Sequence, residues 1–197
     1  MSCIIVLGCF RSGTSAIAGA LHHMGVHMGK QFDPPNSNNL GGYREDLSFK
    51  NLHKKFDSDE FDNHTLINEH IDLIENREKD FKLWGVKDPL LCTNLMRLVL
   101  NLKKEYKLIV CRRPTDEIAL SMGKALKERK YPMRFLPLAE FYISQMNKQL
   151  NQYRGPILEL DHSQTLINPS FHLMRVANFV GVSFNEKSLS FIKNYKK

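Results

Sequence analysis

Hydrophobic positions along this chain switch between short unbroken runs and three-to-four-residue spacing, and the switching predicts strands and helices in turn. Ile4-Ile5-Val6-Leu7 is an apolar run of strand length that stops at Gly8. After a polar turn, Ile17, Leu21 and Met24 recur on one helix face. Leu47, Leu52 and Phe56 mark a second helix, opened by Tyr43-Arg44-Glu45-Asp46, and Ile67, Ile71 and Ile74 mark an amphipathic surface helix over 66–79. Leu83-Trp84-Gly85-Val86 is a short strand, with Pro89 in the first turn of a helix over 90–100. Residues 106–111 form the clearest buried strand after the first, and Thr115 or Asp116 caps a helix bearing Ile118, Leu120, Met122 and Leu126. Helical spacing returns at 136–150, a strand follows at 156–161, and a helix at 171–180 is stopped by Gly181. A last helix at 186–195 has Lys193, Lys196 and Lys197 near its end, where cations suit the dipole.

No repeat, low-complexity stretch or linker interrupts this alternation. It predicts one α/β domain over residues 1–197, with a mostly parallel sheet of four or five strands and helices on both faces. Parallel strands share one C-terminal edge, and open α/β sheets place their ligands there. Arg11, Lys87-Asp88 and Arg112-Arg113 each follow an apolar strand, so they are expected to converge.

Composition narrows the picture only a little. A chain of 197 residues with 42% hydrophobic residues can bury one core, which disfavours disorder. Its apolar runs fall far short of the ~20 residues that span a bilayer, and no charged-then-apolar leader precedes the first strand, so a cytoplasmic protein without a membrane segment is expected. Cys3, Cys9, Cys92 and Cys111 show no C-x-x-C spacing, which favours reduced core thiols over a metal site. The net charge of +7 favours anionic ligands, small nucleotide and nucleic acid alike.

The first loop carries the sharpest chemistry. Gly8-Cys9-Phe10-Arg11-Ser12-Gly13-Thr14-Ser15 joins a strand to a helix N-terminus, where the N–H groups of Ser12, Gly13, Thr14 and Ser15 are expected to face one anion-sized concavity. The G-x-x-x-x-G spacing is that of a nucleotide-binding P-loop, but Thr14 stands where such a loop has its Lys. Arg11 is the fixed cation instead, which suits one anionic group better than a magnesium triphosphate. The competing reading is a purely structural turn. Arg112 and Arg113, facing Ser121 on the next helix, form a candidate second anion pocket against the alternative of a solvated pair. Lys124, Lys127, Arg129, Lys130 and Arg134 surround Tyr131-Pro132 as wet surface, a lid or an acceptor surface, and residues 57–62 read as an acidic solvated turn. The Pro- and Asn-rich loop at 33–42 has the length of a functional loop.

Phe10-Arg11-Ser12-Gly13-Thr14-Ser15 resembles the 5′-phosphosulfate loop of sulfotransferases that use 3′-phosphoadenosine 5′-phosphosulfate, PAPS. Arg112-Arg113-Pro114 with Ser121 is similar to the 3′-phosphate site of that family. The eight-residue Arg-to-Ser spacing selects Arg113, and the Arg-x-Pro spacing selects Arg112. Gly41-Gly42-Tyr43-Arg44-Glu45, Trp84-Gly85-Val86-Lys87-Asp88-Pro89 and Phe179-Val180-Gly181-Val182 resemble further segments of bacterial members, whereas the Lys-rich glycine loop that completes the cofactor pocket of cytosolic members is absent.

The resemblance implies sulfuryl transfer from PAPS to a hydroxyl or amine of a polar acceptor such as a glycan or peptide, without a metal. Arg11 and the 12–15 amides would hold the 5′ end, Arg11 or Lys87 would face the leaving oxygen, and Arg112 or Arg113 with Ser121 would bind the 3′-phosphate. Glu45 is the first candidate base and Asp88 the second; capping and ion pairing are their structural alternatives. Histidine is the base in cytosolic members, and His22, His23, His27 and His53 are weaker candidates here. Rival readings are a P-loop kinase or nucleotide hydrolase with Asp161 at a magnesium-holding strand end, and a non-catalytic polyanion or nucleic-acid binder using the 124–134 run.

Overall fold

The central strand is β1 (Ser2–Leu7), apolar at every position from 3 to 7 because both of its faces are covered. In the computed structural model, which describes residues 2–35, 42–56, 63–102, 105–128 and 130–195, it is flanked by β2 (Leu83–Lys87) and β3 (Glu105–Arg112). With β4 (Ile157–Asp161) these form a parallel four-stranded sheet of order β2-β1-β3-β4. Val6 pairs with Lys87 on one side and Ile109 on the other, while Arg112 pairs with Asp161. The strands therefore finish along one edge.

Side chains alternate across the sheet and build a core on each face. Ile4, Val6, Ile109 and Cys111 pack with Ile17 and Leu21 of α1 (Thr14–His23), Leu173 and Val176 of α8 (Pro169–Val180), and Ile192 of α9 (Glu186–Tyr195). On the opposite face Cys3, Ile5, Leu7, Leu108 and Val110 meet Phe49 of α2 (Leu47–Phe56), Ile74 of α3 (Asn63–Asp80), Leu91, Leu95 and Leu98 of α4 (Leu91–Val99), and Met146 of α6 (Leu136–Gln152). A third cluster joins Cys9 to Ile118 and Met122 of α5 (Thr115–Ala125). A short helix α7 (His162–Ile167) follows β4. No helix among the described residues is long and apolar enough to cross a membrane.

The structure moves several sequence-based boundaries. Helix α2 begins at Leu47, so Tyr43-Arg44-Glu45 lies before it; Asp46 accepts from the Ser48 N–H at 3.1 Å as the capping side chain. Neither Thr115 nor Asp116 caps α5: Thr115 is its first residue, and Pro114 at the cap makes no side-chain bond. The buried face of α3 carries Leu66, His70, Ile74 and Arg77, while Ile67 is 41% exposed. Two polar residues enter that face because they have specific neighbours there. Arg77 pairs with the buried Asp46, and His70 packs edge-on against Phe49 and Phe56. Residues 57–62, Gly41, Arg129, Lys196 and Lys197 lie outside the described residues.

Candidate active site at the strand edge

The loop after β1 holds itself together before it holds anything else. Ser12 donates both its N–H, at 3.1 Å, and its hydroxyl, at 2.7 Å, to the Cys9 carbonyl. The Ser12 amide, expected to face a ligand, is instead an internal strut. Arg11 (φ 67°) and Gly13 (φ 90°) both take left-handed backbone, a conformation that costs a residue with a Cβ roughly 1–2 kcal/mol. Gly13 is required for a second reason, since a Cβ there would sit 2.5 Å from His162 Nδ1. The N–H groups of Gly13, Thr14 and Ser15 enter none of the loop's hydrogen bonds among the described residues, so they stand as donors at the start of α1.

The junction of β3 and α5 separates the two arginines. Arg112 is the last residue of β3 and Arg113 follows it, and the two side chains take different partners. Arg113 bonds the first loop: it donates through Nη1 to the Arg11 carbonyl at 2.9 Å and through Nε to Glu117 at 3.0 Å. Arg11 in turn donates from Nε to Ser121 Oγ at 3.1 Å. Arg112 is bonded instead to Asn147 at 2.7 Å and Glu159 at 2.8 Å and is 34% exposed.

The end of β2 delivers a buried cation. Lys87, 2% exposed, donates to Glu45 Oε1 at 2.6 Å, the Tyr43 carbonyl at 3.1 Å and Ser15 Oγ at 3.2 Å. The other oxygen of Glu45 lies 3.2 Å from Lys50 Nζ, which also bonds Asp33. Burial works against the charge on Lys50, but hydrogen bonds and charges from Asp33 and Glu45 outweigh it and raise its pKa. Asp88 faces elsewhere, with one oxygen 2.8 Å from His53 Nδ1 and the other accepting the Leu90 N–H at 3.0 Å.

These groups open onto a cavity of about 230 Å3 lined by Arg11, Gly13, Thr14, Ser15, Glu45, Lys87, Arg113 and Ser121. Ser12, Asp88 and Arg112 are not in its wall. Neither are His22, His23, His27 and His53; His27 stacks on Phe81 with centroids 3.5 Å apart. The wall also contains Phe10, Tyr43, Pro89, Leu166 and His162. His162 was not anticipated, although the rule that found the other sites points to it, because it is the residue directly after β4. Its pKa is pushed down to about 4, first by burial and next by the charge of Arg113, so the ring is neutral near pH 7.

The comparisons with known proteins bear on the fold. No protein-family model matches the sequence, and no curated protein matches it. Among solved structures, the sulfotransferase domain of the Synechococcus PCC 7002 olefin synthase is similar, with a TM-score of 0.61 at 18% identity over 97% of this chain and 77% of that one. Sulfotransferase STF9 from Mycobacterium avium superposes with a TM-score of 0.60 at 12% identity, covering 98% of this chain and 67% of that one. Sulfotransferase STF1 from Mycobacterium tuberculosis H37Rv gives 0.57 at 13% identity, over 96% and 70%. The chain thus has the fold seen in these sulfotransferases.

Proposed function

We propose that this protein transfers a sulfuryl group from PAPS to a hydroxyl or amine of a polar acceptor. The observation that carries the reading is the convergence of two anion-binding clusters on one cavity. One consists of the Gly13, Thr14 and Ser15 amides with Lys87, the other of Arg113 and Ser121. A donor with a 5′-phosphosulfate and a separate 3′-phosphate needs two such clusters, whereas a nucleoside diphosphate needs one. The residues fit the donor also in chemistry, since all are hydrogen-bond donors or cations. Asp161, the strand-end carboxylate a magnesium-dependent kinase would use, instead caps α7 through one oxygen, which accepts the Gln164 N–H at 2.8 Å.

PAPS supplies a sulfuryl group on a good leaving phosphate, and the protein supplies position and charge. Negative charge grows on the bridging oxygen as that bond breaks, and the charges of Lys87 and Arg11, both in the cavity wall, would stabilise it. Glu45 is the base. Each of its oxygens already bonds one lysine, which orients the carboxylate while leaving lone pairs for the acceptor's proton. Asp88, spent on His53 and Leu90, acts behind Lys87 by fixing the strand end. Arg113 and Ser121 select the 3′-phosphate through charge-assisted hydrogen bonds.

Calorimetry with 3′-phosphoadenosine 5′-phosphate beside ADP tests this. The bisphosphate should bind wild type the more tightly, and Arg113→Ala should weaken it roughly 10- to 100-fold, the worth of a hydrogen bond to a charged group, while leaving ADP almost unchanged. Equal affinity of the wild type for both nucleotides would overturn the assignment, and magnesium-dependent ATP turnover would favour a kinase.

A further inference from the structure

Beyond the cavity, the surface following α5 carries an unusual mixture. Leu126 is 65% exposed and Tyr131 61% exposed, with Met133 and Leu138 also standing out of the surface. Exposed Lys124, Lys127 and Lys130 alternate with them, and Lys130 Nζ lies 5.3 Å from the Tyr131 ring centroid. Glu128, in their midst, is 2.8 Å from Arg134, which neutralises it. Apolar side chains this exposed stand in water unless a partner admits them into its own interior. Lysines between them require that partner to be negatively charged.

We propose that this surface docks the protein onto an anionic lipid bilayer, with Leu126, Tyr131 and Met133 entering the headgroup region and Lys124, Lys127 and Lys130 against the lipid phosphates. Two weak signals, shallow apolar insertion and a basic patch, together give reversible anchoring where either alone is marginal. A folded acidic protein is the less suitable occupant, because protruding side chains need pockets to receive them. Ser121, in the cavity wall, lies one helical turn before Lys124. Docking therefore brings the cavity close to the membrane plane, where an acceptor carried on lipid would be met.

The test is co-sedimentation of the full chain with vesicles of phosphatidylcholine alone or with about one third phosphatidylserine, alongside a soluble acidic peptide. Binding should require the anionic lipid and weaken at high salt. Lys124→Glu/Lys127→Glu/Lys130→Glu should reduce it on the order of 100-fold, and Leu126→Ser/Tyr131→Ser about 10-fold, with unchanged melting temperatures because the altered side chains are exposed. The proposal fails if anionic vesicles do not bind, if the serine pair leaves binding intact, or if the peptide binds as tightly as the vesicles. Nucleotide affinity is read separately and is independent of the outcome.

Discussion

Replacing Lys87 by Met tests the buried ion pair on which the strand-edge site is built. Lys87 is 2% exposed and its Nζ is 2.6 Å from Glu45 Oε1. Breaking a buried pair from one side costs about 3–5 kcal/mol, because the remaining charge stays desolvated. Here Glu45 keeps Lys50 at 3.2 Å, which reduces the expected loss to roughly 2–3 kcal/mol. For a domain of this size that is a fall of about 5–10 °C in melting temperature. Glu45→Gln should cost less, since Lys87 still reaches the Tyr43 carbonyl and Ser15 Oγ. The double variant Lys87→Met/Glu45→Gln leaves neither charge stranded. Urea unfolding of all four proteins closes a double-mutant cycle, with an expected coupling of about 1.5–2 kcal/mol. Additivity within about 0.5 kcal/mol would show that the two side chains do not meet in solution, and the proposed pairing of a base at Glu45 with a leaving-group cation at Lys87 would go with it.

Glycine substitutions separate backbone strain from contact. Gly13→Ala should lose about 2 kcal/mol of stability and its bisphosphate affinity, whereas Gly25→Ala, at φ 92° with nothing within 4 Å of the added carbon, should lose only about 1 kcal/mol. Equal losses in urea unfolding would mean that His162 does not sit against Gly13. His162 and His70 have pKa values lowered to about 4 and about 3 by burial, so between these values and 6.5 the unfolded chain binds more protons than the folded one. Stability is therefore full above about pH 6.5 and falls as pH drops through that window; His70→Leu should flatten the acid limb of a stability-versus-pH series. The thiols of Cys3, Cys9, Cys92 and Cys111 are all free and buried, with burial raising the pKa of Cys9 and Cys111 to about 12. A thiol reagent should label none in the native protein at pH 7 and all four after unfolding.

What the sequence made legible follows from the physics of each signal. The parallel sheet was readable because the short apolar runs at β1 and β3, each broken by polar or glycine residues, fit strands buried on both faces, and the shared edge then placed Arg11, Lys87 and Arg113 together. The same rule applied to β4 yields His162, but a single histidine after the strand-end Asp161 has no distinctive composition to mark it. Which arginine faces the loop was not legible, since strand phase at the last residue depends on whether pairing runs to 112, and it does, through Arg112 and Asp161. Ser12 is hard to assign from sequence for a related reason: a loop amide can serve a ligand or its own backbone, and here it bonds the Cys9 carbonyl. The α3 face was shifted by a residue because hydrophobic spacing treats His70 and Arg77 as solvent-facing, whereas Asp46 and Phe49 draw them inward.

The two clusters are joined before any ligand arrives. Arg113 holds the Arg11 carbonyl, which the left-handed turn at Arg11 presents, and Arg11 holds Ser121 on α5. Each bond spends only part of its group's capacity. Ser121 Oγ accepts from Arg11 and keeps its own O–H to donate, while Arg113 uses Nε and one Nη1 hydrogen in these bonds and has three further N–H groups in a fixed plane. The fork is thus oriented by Glu117 and the loop, and binding does not have to order it. A lysine at 113 would bring the charge but could not hold the carbonyl, Glu117 and a phosphate in one plane. Arg113→Lys should therefore bind 3′-phosphoadenosine 5′-phosphate at least 10-fold more weakly than wild type, whereas Ser121→Ala, which loses one hydroxyl donor, should cost about 10-fold at most. Full affinity in Arg113→Lys would mean that a point charge suffices and that the cross-link between loop and helix has no part in recognition.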